Sequence, residues 1–159
     1  MRKVILMILA VVIGVTGCSS TPAKEKMAEW VEAGGNEEST AYVDTANIQR
    51  AGNMAKMWQL IDFKTTKKDF GSTYMSAKQQ DEYDCKEKQW RTLYLIQSSG
   101  NMGKGESVYI ETVSGKGEPV SPKSFQEVLW KIACGNCDLL PGYRRSHPSA
   151  GPFFSCMGS

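Results

Sequence analysis

The sequence has a single histidine, His147, and offers no second Cys or His pair to match Cys134-x-x-Cys137. A hydrolase of the Ser/His/Asp or Cys/His kind needs an imidazole held in a rigid constellation, whereas His147 stands in Arg145-Ser146-His147-Pro148, a proline-flanked stretch suited to a loop. A structural zinc site needs four ligands at matched spacing, and the Cys134 and Cys137 pair supplies half of one. No catalytic residue, metal ligand or cofactor is assigned on these grounds. A phosphate loop is missing too: Gly100-Asn101-Met102-Gly103-Lys104-Gly105 lacks the spacing of such a motif and leads into a strand pattern, so it is read as a hairpin turn. The carboxylates of Asp81-Glu82-Tyr83-Asp84 are divided between two faces by strand alternation; they are read as a solvated face, with a weak cation site as the alternative.

No apolar run is long enough to span a bilayer comfortably, because the longest, Val4 to Val15, falls short of about 20 residues. It follows Met1-Arg2-Lys3 and precedes Val15-Thr16-Gly17-Cys18, the layout of an export signal ending in small residues. That ending resembles the lipobox of bacterial lipoproteins. The resemblance implies cleavage before Cys18 and lipidation of its thiol and new amino group, and several acyl chains anchor far more firmly than one. Ser19 after the cysteine implies outer-membrane transfer in a Gram-negative envelope. Of 19 basic and 17 acidic residues, Arg2 and Lys3 lie in the signal, so the processed chain is neutral and lacks the basic footprint of a nucleic-acid binder.

The organisation expected is a signal peptide over 1–17, a lipidated tether over 18–40 with a short segment at Trp30 able to pack on the domain or pair with it, a domain over 41–134, and a Gly/Pro-rich tail over 135–159. Strands are predicted at Ala41 to Asp44, Ala55 to Phe63, Tyr74 to Cys85, Gln89 to Ser99 and Glu106 to Val113, with a helix as the alternative over Asn53 to Asp62. Met57 to Ile61 and Leu93 to Ile96 are apolar on both faces and are expected to be central strands covered on both sides. Phe125, Val128, Leu129, Ile132 and Ala133 form one helical stripe, Ser124-x-x-Glu127 is a capping box, and Gly135 is a stop. Trp130 and Lys131 lie off that stripe, which leaves Trp130 exposed or under the tail. The fold class is thus α+β, an antiparallel meander of about five or six strands with one C-terminal amphipathic helix packed on it.

Beyond Cys18 the chain carries Cys85, Cys134, Cys137 and Cys156. In an oxidising compartment four thiols are read as two disulfides, for which three pairings exist. Metal binding and redox chemistry are the alternatives, the latter disfavoured because the C-x-x-C pair sits at a helix end and not at a helix start. A Cys137 to Cys156 pairing would staple the tail, hold Phe153-Phe154 against the domain, and contribute about 3 kcal/mol in the chain-entropy model.

Several pieces in order resemble the surface-adhesin protein E family of Gram-negative lipoproteins: Trp58-x-Leu60-x-Asp62-Phe63, Tyr83-Asp84-Cys85-Lys86, and Arg91-x-Leu93-Tyr94. Gly100-x-Met102-Gly103-x-Gly105, Pro119-Val120-Ser121-Pro122-x-Ser124 and Leu129-Trp130-Lys131-Ile132-Ala133-Cys134 continue the series, which spans about Tyr42 to Cys134. The resemblance implies a sheet of about six strands backed by one helix, a Cys85 to Cys134 bridge, a homodimer through the sheet, and binding of host extracellular-matrix or serum proteins. The cysteine-containing tail departs from the family's pattern. The function expected is a protein-binding, non-catalytic outer-membrane lipoprotein at the cell surface; a periplasm-facing envelope lipoprotein with a structural or assembly role is the alternative, and a thiol-redox protein or hydrolase the last. Trp130, Tyr109, Phe153 and Phe154 are the candidate interface anchors, since aromatics are enriched where partners bind.

Overall fold

The computed structural model describes residues 27–69, 71–139 and 154–156. The strands are β1 (Trp30–Gly35), β2 (Ser39–Asp44), β3 (Gln49–Ala51), β4 (Met54–Asp69), β5 (Ser72–Asp84), β6 (Gln89–Ser98), β7 (Ser107–Thr112) and β8 (Glu118–Pro119); β-branched and aromatic residues recur in the longer ones, while β3 and β8 are short polar edge pieces. They make one antiparallel sheet in the order β1-β2-β4-β5-β6-β7, with β3 beside β4 and β8 beside β6. This is the expected meander. The five predicted strands are all present, and the Asn53 to Asp62 segment that could have been a helix is strand.

The sheet starts earlier than the Ala41 boundary. Trp30–Gly35, expected within the tether, is β1 and pairs in register with β2, Val31 opposite Val43. The polar run between them is a hairpin turn: Asn36 Oδ1 accepts from the N–H groups of Glu38 at 2.8 Å and Ser39 at 2.9 Å. Gly35 is required there, because a Cβ would stand 2.9 Å from the Ser39 carbonyl oxygen.

The helix α1 (Phe125–Ala133) is capped as expected, with Ser124 Oγ accepting from the Glu127 N–H at 3.2 Å. Glu127 reaches back one residue further than a capping box, accepting from the Lys123 N–H at 2.7 Å. At the other end Gly135, at φ 81°, donates to Ile132 O, and the Asn136 N–H donates to Lys131 O at 2.7 Å. Those two bonds are a Schellman stop, which satisfies carbonyls that the helix leaves orphaned.

Leu129, Ile132 and Ala133 pack on Val31, Val43, Ala55, Met57 and Tyr83, which strand register places on one face of the sheet. Burying each large apolar side chain there contributes about 1.5–3 kcal/mol. Trp130, expected off the stripe, belongs to this core at 6% exposure. Its indole N–H donates to Asp84 O at 2.9 Å and the Lys88 ammonium lies 5.4 Å from its ring centre, so the β5 to β6 turn covers it from the flank. Phe125, expected to face the sheet, is instead 43% exposed at the helix start.

Cys85 is bridged to Cys134, with 5.6 Å between the Cα atoms, which ties the helix end to the end of β5. Arg50 on β3 adds a second tie, donating to Ala133 O at 2.7 Å and Ile132 O at 3.1 Å. The tail, expected to be loop, contains a two-stranded ladder of β9 (Cys137–Leu139) with β10 (Phe154–Cys156). Cys137 is disulfide-bonded, and the ladder sets it opposite Cys156.

Candidate functional site

Strand register sorts the side chains into two faces, one under α1 and one that no described helix covers. On the helix-free face, Trp58, Gln80, Tyr94 and Thr112 line up across β4, β5, β6 and β7. A parallel row runs from Tyr42 on β2 through Leu60, Lys78 and Ile96 to Ile110. A third carries Lys56, Glu82 and Arg91.

Direct contacts hold these rows in place. Trp58 and Tyr94 meet edge-to-face with ring centres 6.1 Å apart, and the Lys78 ammonium stands 5.0 Å from the Trp58 ring centre. Glu82 takes the Arg91 guanidinium, with Nε at 2.9 Å, and the Lys56 ammonium at 3.5 Å. Ile110 is 55% exposed near the open edge of the sheet.

The turn at 100–105 walls one end of this face. Ser76 donates to Gly100 O at 2.6 Å and accepts from the Gly103 N–H, while Asp62 Oδ1 accepts from the Met102 N–H at 2.6 Å and from the Asn101 amide. The turn settles on Leu60, so this side chain is buried although it faces away from the helix. Tyr42 borders it; partial burial and the nearby Glu32 and Asp62 carboxylates push its hydroxyl up. As expected, this glycine-containing segment is a turn between two strands.

The expectation of cover on both sides does not hold for β4 and β6. Among the described residues, the helix lies on one face alone and the 100–105 turn covers only a corner of the other. Both faces of these strands are apolar, but one of them meets solvent. Sequence reasoning passed over Trp58 and Tyr94 for this reason; the signal was the second apolar face itself, read as buried.

The helix-covered face holds a buried polar network. Asp81, expected on a solvated face, is fully buried and accepts from the amides of Gln59 at 2.6 Å and Gln79 at 2.8 Å and from the Tyr83 hydroxyl at 3.3 Å. Gln79 also donates to Thr92 at 2.9 Å, and Gln126 on α1 donates to the Tyr83 hydroxyl at 3.5 Å. Burial pushes the Asp81 carboxyl up, against donors that pull it down; burial and the Asp81 charge push Tyr83 well above the usual phenol range. The partners are neutral, and this network joins sheet to helix. Glu82 and Asp84 turn to the other face, so the carboxylate run does not converge, and no group of three or more His, Cys, Asp or Glu fit to hold a metal occurs among the described residues.

Of the four aromatics singled out, Trp130 serves the core and Tyr109 is half-buried on β7, donating to Glu111 at 2.9 Å. The Glu111 carboxylate pushes the Tyr109 hydroxyl up. Phe153, the Phe154 side chain, Cys18 and His147 lie outside the residues whose side chains are described. No described helix is long and apolar enough to cross a membrane.

No curated protein matches the chain. A family model matches residues 30–135, from the first strand to the glycine that ends the helix. That match spans most of the chain, and with the six-strand path, the single C-terminal helix and the Cys85 to Cys134 bridge beneath it, the chain belongs to the surface-adhesin protein E family.

Proposed function

We propose that the protein is a non-catalytic, protein-binding lipoprotein of the outer membrane, lipidated at Cys18 and displayed at the cell surface, with the helix-free face of its sheet as the binding surface. The observation that carries this reading is the pair of rows Trp58-Gln80-Tyr94-Thr112 and Tyr42-Leu60-Lys78-Ile96-Ile110, half-buried along most of their length, exposed at Thr112 and Ile110, and closed over only at Leu60. An apolar, aromatic surface of this kind, rimmed by charges, marks a protein interaction site more often than a bare fold surface. The family's description as a surface adhesin supports host extracellular-matrix or serum proteins as ligands; the same apolar face would also suit a second copy of the chain.

The test has two stages. Protease treatment of intact cells should cleave the domain, or surface labelling should detect it, without permeabilisation; reactivity confined to permeabilised cells would rule out host adhesion. The purified chain should then bind an immobilised extracellular-matrix preparation, and Ile110→Asp with Tyr94→Ala should reduce that binding while leaving the fold's circular dichroism unchanged. Binding that survives both substitutions would remove the sheet face from the reading.

A further inference from the structure

The two ends of α1 are held on the sheet by different means. At the C-terminal end the ties are covalent and polar together: the Cys85 to Cys134 bridge, two bonds from Arg50 to the Ala133 and Ile132 carbonyls, and the Trp130 indole on Asp84 O. At the N-terminal end Phe125 is exposed, and the first turn reaches the sheet through Gln126, whose amide donates to the Tyr83 hydroxyl at a long 3.5 Å.

That bond leads to a buried titratable group. The Tyr83 hydroxyl donates to Asp81 Oδ2 at 3.3 Å, and the other donors around this carboxylate are Gln59 from β4, Gln79 from β5 and Thr92 from β6. All are neutral. The charged residues of the packed elements are engaged elsewhere: Glu111 on β7 with Tyr109, Glu127 and Lys131 on α1 with each other at 3.8 Å, and Arg50 on β3 with helix carbonyls, while Glu118 on β8 is exposed. Burial raises the Asp81 carboxyl even against its donors.

A buried carboxylate with neutral donors alone is costly, so lifting the first turn and letting water reach Asp81 relieves the charged form and offers the neutral form nothing comparable. Protonation also reverses the hydrogen-bond chain. A neutral Asp81 can donate its O–H to the Tyr83 oxygen, which frees the Tyr83 O–H to donate to Gln126 Oε1 once that amide turns over. The weak amide-to-phenol bond is then replaced by a phenol-to-carbonyl bond.

We infer that Asp81 is a proton-operated latch on the first turn of α1, which loosens from the sheet when Asp81 is charged and seats when a proton from solvent neutralises it, the helix pivoting on its Cys134 end. The latch is a device of the covered face and does not depend on the binding surface proposed above.

The test is amide hydrogen exchange of the isotope-labelled full chain at about pH 7 and about pH 4, on either side of the raised carboxyl, each corrected for the intrinsic rate. The open fraction at the Val128 and Leu129 amides should be about two- to tenfold smaller in acid, the scale of one hydrogen bond, with the Ala133 and Cys134 amides unchanged. Asp81→Asn, neutral at every pH, should show the acid value at both. Gln126→Ala, at a half-buried position, should shrink the difference. The carboxyl carbon shift of Asp81 in the unmodified chain should titrate with the same midpoint as the exchange, a readout that needs no variant to fold. Equal open fractions at the two pH values, or midpoints that disagree, would overturn the inference. A pH response that survives Asp81→Asn would overturn it in favour of Glu127, the carboxylate that caps the same turn.

Discussion

The two faces of this sheet are built from the same strands, and β4 offers apolar side chains to both. On one, Ala55 and Met57 are closed over by α1 and excluded from water; on the other, Trp58 remains half-buried beside Tyr94. Buried polarity lies where it was not expected: the covered face contains a carboxylate, Asp81, at the centre of a hydrogen-bonded network, while the uncovered face leaves Trp58 and Tyr94 half-buried. Apolar character therefore does not say which face holds the fold together. Cover does, and one short helix of nine residues covers one face only.

If that division is right, the faces should respond very differently to truncation. Met57→Ala on the covered face should cost about 2–5 kcal/mol, because it removes buried contacts and leaves a cavity that the sheet cannot close. Ile110→Ala on the uncovered face should stay within about 0.5 kcal/mol, as for surface changes generally. Urea denaturation of the two variants beside the unmodified chain measures both. Similar costs would mean that something outside the described residues covers the second face.

The bridge that holds the helix on its face is the next point to break. Replacing Cys85 and Cys134 together by Ala should cost about 4 kcal/mol, the chain-entropy value for a loop of the 49-residue separation observed. Arg50 and Trp130 still tie the helix end in that variant, so the sheet should keep its far-ultraviolet circular dichroism and unfold at lower denaturant. In the unmodified chain, a non-reduced peptide digest should join Cys137 to Cys156, the residue opposite it in the ladder. A Cys137 linkage to any other residue would take the staple away from the tail.

Much of this arrangement can be read from the residues. Alternation in Val108-Tyr109-Ile110-Glu111 gives β7 and its faces, and the Ser124 cap with the Gly135 stop gives α1 to the residue. What escaped did so for definite reasons. Gly34-Gly35-Asn36-Glu37-Glu38 has the composition of a linker, and it takes the Asn36 side-chain bonds and the close approach of Gly35 to Ser39 together to make it a hairpin. Trp130 falls off the stripe on a helical wheel, but at the last turn of a short helix the neighbouring turn supplies Asp84 O and Lys88 from the side, which no periodicity encodes. The uncovered rows escaped because a period of two states that a strand has two apolar faces without stating how many layers the domain has.

The covered face should also show a response to acid. Burial raises the Asp81 carboxyl in the folded chain above its unfolded value, so the charged form costs stability at neutral pH. As pH falls through the raised folded value the group is neutralised and that cost is relieved; the full benefit is present below the unfolded value, at about pH 4. The groups facing it are amides and hydroxyls from β4, β5, β6 and α1, with no cation among the described residues to offset the charge. Asp81→Asn should be at least as stable as the unmodified chain at pH 7, with the gap closing toward acid. A variant that loses stability at pH 7 by a constant amount at every pH would show that the carboxylate is held for its acceptor geometry and not merely tolerated.

The smallest expected effect on folding belongs to the row that matters most for binding. Trp58 is half-buried, its ring edge-on to Tyr94 and under the Lys78 ammonium, so Trp58→Leu keeps apolar cover over the sheet while removing both aromatic contacts. Such contacts at partly exposed sites are worth about 0.5–1.5 kcal/mol, and Leu restores part of the burial, so the fold should lose about 1 kcal/mol or less. Association is a sterner test, because aromatic side chains at the centre of an interface carry a disproportionate share of its energy. Binding to the matrix preparation, or self-association followed by sedimentation, should fall about tenfold or more in the same variant, a loss of about 1.4 kcal/mol or more. A variant that folds normally and binds normally would leave the uncovered face as a surface exposed for want of a second helix, with no partner of its own.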